Sequence, residues 1–173
     1  MSEHSTGGSS ATNEPSGAEL THTDDDGEAQ MVDVGDKPDT ARRAVARGQI
    51  RLRPETVAAV REDRVQKGDV LATARVGAVQ AVKHTWETIP MCHQIPVTNV
   101  DTTFELAESS VELTVAVETT GTTGCEMEAL EGVTTGLNVV WDMVKSAEKD
   151  ADGQYPDTGI ESVEVVEKTK RDT

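Results

Sequence analysis

The chain has 173 residues, 32 Asp and Glu against 16 Lys and Arg, a formal net charge of −16 and only 2% aromatic residues. That length suffices for one domain with a real core, and so negative a surface excludes nucleic acid and anionic membranes as general partners. Two cysteines do not make a secreted disulfide framework, no apolar run approaches the roughly 20 residues of a membrane span, and no leader pattern opens the chain, so the cytoplasm is the expected compartment.

Residues 1–29 hold seven acidic residues, no Lys or Arg, and Leu20 as the only large aliphatic besides Met1. A segment so poor in apolar surface cannot offset its ordering entropy and reads as a disordered acidic tail, with the functional domain spanning 30–173. The excess of acid suits a surface adapted to high salt, where self-repulsion is screened.

From Gln30 the chain reads as globular. Residues 44–52 alternate loosely, as a strand does. Pro54 suits a first helical position, which predicts a short helix to about Asp63. Asp69 is placed to cap a second helix running from Val70 to about Thr88, with Pro90 as the stop. Residues 97–106 are rich in Val and Thr and predict a strand. Val111, Leu113, Val115 and Val117 alternate with Glu112, Thr114, Ala116 and Glu118, a half-buried strand joined to its predecessor by a hairpin at 108–110.

Thr123 and Glu126 fit a capping box that opens the next helix. Leu130, Val133, Leu137, Val140, Trp141 and Val144 then recur at spacings of three and four, the stripe of an amphipathic helix. Gly132 and Gly136 weaken that helix, so close approach of another backbone is the reason to expect them. A polar loop over 150–159 leads to a last strand over 160–166. The order gives an α+β fold: a ferredoxin-like βαββαβ sandwich with an extra short helix. Helices cover one sheet face. The other needs cover, so an oligomer is expected.

Asp142 and Lys145, three residues apart, share a helix face, and Glu128 falls near that face closer to the helix start. A surface ion pair is the ordinary meaning of such spacing. An acid beside an amine on a rigid helix is also a candidate proton-transfer pair. Glu126 and Glu128 in the first turn suit the helix dipole, and carboxylates there could accept the paired N–H donors of a guanine-like ring. Lys67 precedes a helix N-terminus, where free N–H groups favour an anion, although the Gly-rich run of a P-loop is missing. Arg75 and Lys83 read as a solvated face of the same helix. Cys92, His93 and Cys125 invite a zinc reading, which lacks a Cys-x-x-Cys knuckle and a well-placed fourth ligand, so no metal site is assigned. A lone Cys-His neighbour pair is not a nucleophile triad either.

Taken together, Met31–Val34, KGDVLATARVGAVQAVKHTWETIPMCH (67–93), GCEMEAL (124–130) and WDMVK (141–145) resemble the cyclic pyranopterin monophosphate synthases, the molybdenum cofactor biosynthesis protein C family. The stretches cover nearly all of the chain after the acidic tail, in order and spacing. The resemblance implies a ferredoxin-like subunit in a homohexamer, a trimer of dimers, with sites at subunit interfaces. It implies a lyase that rearranges a 3′,8-cyclised dihydro-GTP to cyclic pyranopterin monophosphate with release of pyrophosphate. No redox cofactor is implied and none is required; a Mg²⁺ ion, if one takes part, accompanies the substrate phosphates. Carried over by position, Asp142 and Lys145 match the catalytic pair. Met91, Cys92, His93, Met127 and Glu128 match substrate-binding stretches, and Glu126, Lys67 and Lys83 match further contacts. The chain departs from the family at Gln94-Ile95-Pro96, where a Pro commonly follows the His, and at the C-terminus, which lacks a Gly-Gly-Lys segment. Lys168 is the candidate for its lysine. The alternative from another class is a ferredoxin-like small-molecule binding module without catalysis, which would not require Asp142 and Lys145 together. An RNA-binding sheet is excluded by charge and by the lack of stacking aromatics, Phe104 being the only Phe.

Overall fold

A computed structural model of the chain describes residue 27 and residues 29–172. The expected acidic tail lies outside the described residues except at Gly27 and Ala29. The fold described below lies within residues 33–172.

Eight elements follow one another: β1 (Thr40–Arg51), α1 (Pro54–Arg61), α2 (Val70–Lys83), α3 (Thr85–Thr88), β2 (Val97–Leu106), β3 (Ser110–Gly121), α4 (Glu126–Glu148) and β4 (Gly159–Asp172). The strands form one antiparallel sheet in the order β2-β3-β1-β4. That order is what the βαββαβ pattern requires: each helical crossover skips one strand, and the skipped position is filled from the other half.

Alternation sets the faces. On β3, Val111, Leu113, Val115 and Val117 are all fully buried under the helices. On β1 the same face carries Ala44, Ala46, Gly48 and Ile50. Small residues at 44–48 let α4 descend onto the sheet. A methyl group on Gly48 would stand 2.9 Å from Val133 Cγ1 and 3.2 Å from Leu137 Cδ1. The two long helices meet through equally small residues. Ala74 and Ala78 of α2 are fully buried, and a Cβ on Gly132 would sit 2.8 Å from Val82 Cγ2 and 3.1 Å from Val115 Cγ1. A Cβ on Gly136 would overlap Leu113. Close packing, as expected, is the reason for both helical glycines.

Several local expectations need correction. β1 starts four residues earlier than its alternation indicates, because Thr40–Arg43 are paired on both sides, by β3 and by β4. The helix expected over 70–88 breaks at His84, and Thr85 opens a separate short turn. Thr85 is buried and its hydroxyl donates back to Ala81 and Val82 carbonyls, which closes the end of α2. The capping box does not form. Cys125 is the N-cap of α4 without a side-chain cap bond, and Glu126 turns to Lys168 instead. The last strand runs to Asp172, six residues beyond its apolar stretch, because β1 offers a partner along its whole length. Asp69 does cap α2, accepting the Ala72 N–H at 2.9 Å.

The sheet face away from the helices is less bare than expected. Arg43 bridges Glu118 (3.7 Å) and Glu167 (2.8 Å), and Arg47 pairs with Glu164 at 2.9 Å. The aliphatic stems of such arginines cover apolar surface while their heads stay wet. Beside them Val45 and Ala116 are each only 7% exposed.

The helix–helix contact yields a prediction. Gly132→Ala gains about 1 kcal/mol of helix propensity. It must push aside two buried valines that are stiff at χ1, and overpacking of that kind costs about 1–3 kcal/mol. We expect a lower urea midpoint at fixed protein concentration. An unchanged or higher midpoint would show that the helices have room.

Candidate active site

The residues singled out in the sequence fall into two groups at opposite ends of α4. Fourteen residues separate Glu128 from Asp142, about 21 Å at the rise of an α-helix.

At the C-terminal end, Asp142 sits between two ammonium groups. Lys145 Nζ donates to Oδ1 at 2.7 Å and Lys67 Nζ to Oδ2 at 2.9 Å; Lys67 also reaches the Asp142 carbonyl at 2.6 Å. Lys145 arrives by helical spacing. Lys67 arrives by tertiary packing, since α2 runs antiparallel along α4 and delivers the loop before its own first turn to this point. Gly68 allows that loop its positive φ of 104°. Lys67 is therefore a partner of the Asp142 carboxylate, not a cation waiting at the terminus of α2. The hydrogen bonds from Lys145 and then Lys67 hold Asp142 at a pKa of about 2, and Asp142 in turn raises Lys145. The resting arrangement is an ionised carboxylate clamped between two ammonium donors.

At the N-terminal end, Glu126 and Glu128 occupy contrasting environments. Burial works to raise Glu126, but hydrogen bonding and charge from Lys168, with Arg42 beyond, outweigh it and leave Glu126 lowered. Glu128 is 4% exposed. Desolvation pushes it up to about 7, against a partly offsetting hydrogen bond from its own backbone, and Glu126 adds to the rise. Two carboxylates with pKa values driven apart are how a site obtains both a fixed anion and a group that exchanges a proton near neutrality. Met127 lies between them on the exposed side of the turn.

Lys168 and Lys170 of β4 lie opposite Ala44 and Arg42 of β1, on the helix-facing side of the sheet. With Arg42, Arg43, Cys125 and Glu126 they line a cavity of about 200 Å³. Arg42 was not singled out by its sequence context. It occupies core-facing parity on β1, donates through Nη2 to the Thr122 carbonyl at 3.3 Å, and has a buried Nε with no hydrogen-bond acceptor among the described residues. A cation at a core-facing strand position was the available signal.

The 91–93 stretch follows the α3 turn. Cys92 N–H donates to Ile89 O, and Thr119 Oγ1 holds the Pro96 carbonyl at 2.8 Å, so β3 fixes the exit of this loop where the sequence departs from the family. Cys92 is raised by burial and then by the Glu128 charge, which places the loop beside the N-terminal group. Met91 is exposed and His93 half-buried. Cys125 is raised to about 11 by burial, then by Glu126 and Glu128, and its thiol donates to Val117 O at 3.3 Å. Thiols held protonated in this way make poor nucleophiles and poor metal ligands. Both cysteines are free, and no cluster of three His, Cys, Asp or Glu side chains among the described residues is arranged to hold a metal. Lys83 lies at the C-terminal end of α2, in a shallow hollow with Val76, Val79 and His84. Arg75 is not simply solvated: it stacks over Phe104 at 5.6 Å and donates to Thr102 O.

The chain is thus an antiparallel α+β sandwich with a carboxylate–ammonium cluster at one end of its long helix and an acid pair beside a basic cavity at the other. The chain belongs to the MoaC family, whose sequence profile matches residues 31–171. It is 80% identical over 154 residues to a protein of Natronomonas pharaonis named probable cyclic pyranopterin monophosphate synthase, an alignment covering 89% of this chain and 96% of the relative. A Halobacterium salinarum protein of the same name is 76% identical over 151 residues, 87% of this chain and 93% of the relative. A Methanothermobacter thermautotrophicus relative, 51% identical over 152 residues (88% of this chain and 95% of the relative), is named probable cyclic pyranopterin monophosphate synthase accessory protein. The first two come from halophilic archaea, in keeping with the acidic surface. No helix among the described residues is long and apolar enough to cross a membrane.

Burial of Glu128 makes stability depend on pH with a definite sign. Its folded pKa, about 7, lies above the ordinary 4.5. Between those values the folded chain keeps a proton that the unfolded chain has lost. Stability therefore falls as pH rises through that window, by on the order of 3 kcal/mol. Glu128→Gln should flatten this fall and be the more stable protein at pH 8, as read from denaturant unfolding. A wild-type slope in the variant would show that Glu128 is not the group responsible.

Proposed function

We propose that this chain is the lyase converting (8S)-3′,8-cyclo-7,8-dihydroguanosine 5′-triphosphate to cyclic pyranopterin monophosphate and pyrophosphate in molybdenum cofactor biosynthesis. Membership of the MoaC family and the names of its 76–80% identical relatives support the reaction. The observation that carries the site is the Asp142 carboxylate held between Lys67 and Lys145. Opening and reclosing a purine ring requires protons to be taken up and returned at several atoms. Asp142 accepts, and the two ammoniums donate and balance the charge that develops.

The N-terminal group suits the rest of the substrate. Glu126 and Glu128 accept from the guanine-derived ring, with Met127, Met91, Cys92 and His93 forming its surround. Arg42, Lys168 and Lys170, with Lys83 nearer the end of α2, gather the triphosphate. Forming the cyclic phosphate breaks the bond between the first two phosphoryl groups, and these cations stabilise the departing pyrophosphate. No cofactor enters this reading; Mg²⁺, where present, accompanies the phosphates. The cytoplasm is the location that fits it, and residues 1–29 serve as a solvating arm outside the functional domain.

One chain cannot bring both groups to one substrate. The ends of α4 are about 21 Å apart, too far for a single ring system to touch Asp142 and Glu128 together. A second copy that places its Glu128 end against the first copy's Asp142 end closes the site. The homohexamer, a trimer of dimers, is the assembly we infer.

Mixing inactive variants tests both parts. Asp142→Asn should lower pyrophosphate and pterin formation by about 10²–10⁴-fold without unfolding the protein. Glu128→Gln should be impaired as well. When the two variants are co-refolded, about a quarter of the sites combine an intact Asp142 with an intact Glu128, and activity should return to that level. A fully active Asp142→Asn protein would refute the proton-transfer role, and failure of the mixture to recover would refute the shared site. Substrate binding with no turnover in the wild-type chain would favour the non-catalytic binding module.

A further inference from the structure

The loop between α4 and β4 is fastened more tightly than a surface connection requires. Asp150 Oδ1 accepts the N–H groups of Asp152 (2.9 Å) and Gln154 (2.8 Å), and the Asp150 N–H returns to Gln154 O at 3.0 Å. The far end is tied to Glu148, whose side chain is fully buried. Glu148 Oε2 takes the Thr158 hydroxyl at 2.6 Å, and both its carboxylate oxygens face the Arg53 N–H at 3.2 and 3.3 Å. Arg53 Nε closes the ring of contacts on Asp157 at 3.1 Å.

What these bonds hold in place is Tyr155. Its ring meets Trp141 edge-to-face, centroids 5.7 Å apart and planes at 84°. Trp141 directly precedes Asp142, and Lys145 stands four residues on, over the same face of the helix. Tyr155 is half-buried and takes no part in the main hydrophobic core. A loop bound to the last turn of α4 from both sides thus delivers one aromatic ring to the turn that carries the Asp142–Lys145 pair.

We propose that Tyr155 is a positioning residue for Lys145: wedged on Trp141, one helical turn before the lysine, its ring limits the lysine stem to the rotamers that reach Asp142. This rests on the reading of Asp142 and Lys145 as the catalytic pair. An aromatic pair with only a packing role would change stability when cut. A positioning residue changes turnover and its pH dependence, because small displacements of a reacting group carry large rate penalties.

The experiment compares Tyr155→Phe, Tyr155→Ala and Asp142→Asn in the full-length assembled protein, following pyrophosphate release against pH, with KM and melting temperature recorded. Tyr155→Phe keeps the ring. It should hold kcat within about twofold and keep the wild-type pH profile, since the ring and not the hydroxyl does the positioning. Tyr155→Ala should lower kcat about tenfold with KM changed far less. Wild-type kcat and pH profile in both Tyr155 variants, alongside a dead Asp142→Asn, would overturn the positioning role alone. So would a loss in Tyr155→Ala that merely tracks its melting temperature. An active Asp142→Asn protein would overturn the catalytic pair and this proposal with it.

Discussion

Close approach of α2 to α4 is the constraint on which the rest of the molecule depends. It is made possible by what is missing from the contact: no side chain on Gly132 or Gly136, and only methyl groups on Ala74 and Ala78. A larger residue at any of these positions would lift α2 away from α4. The Lys67 ammonium, at the far end of the same packed pair, reaches Asp142 because the helix axes are already close. Its 2.9 Å contact is therefore a consequence of glycine packing some two turns away.

One helix creates two electrostatic environments of opposite character. At its C-terminal end a largely solvated carboxylate is surrounded by cations and kept ionised. At its N-terminal end a buried carboxylate is short of cations and keeps its proton until near neutrality, even though the helix dipole favours charge there. Desolvation is the stronger influence for Glu128 because the β3 side of α4 is dry, while Glu126, one side over, escapes to Lys168. Separation along a rigid rod preserves the contrast. On the proposed reading, chemistry using both environments calls for a second copy, and this argument for assembly is independent of any uncovered apolar sheet face. The open face is instead laced with Arg–Glu pairs whose individual contributions are small and screened by salt.

Much of the fold was legible from residue spacing. The alternation of 111–117 and the three-and-four stripe of 130–144 placed β3 and α4, and the capping Asp69 placed α2. The misplaced boundaries share a cause. Thr40–Arg43 has only Ala41 as an apolar residue and Glu167–Asp172 has none, so no apolar period marks them, yet each has a central strand beside it offering hydrogen bonds. The expected capping box failed for a related reason: a Glu able to reach back to its own helix start found a lysine from another strand.

The sequence by itself determined the element order, the apolar faces, the Asp142–Lys145 pair and, through its motifs, the family. All of these depend on neighbours two to four residues apart or on residue identity. Only the tertiary structure decided which distant charges meet. Lys67 joins Asp142 across 75 residues because of helix packing. Lys168 faces Glu126 because β4 carries two irregularities opposite β1, near Val45/Ala46 and Arg47/Gln49, with Ser162 at a φ of 57°. Each added residue reverses which side of the sheet the following side chains take, and two restore it. Counting such bulges requires the partner strand, so the face on which Lys168 emerges could be read only from the folded sheet.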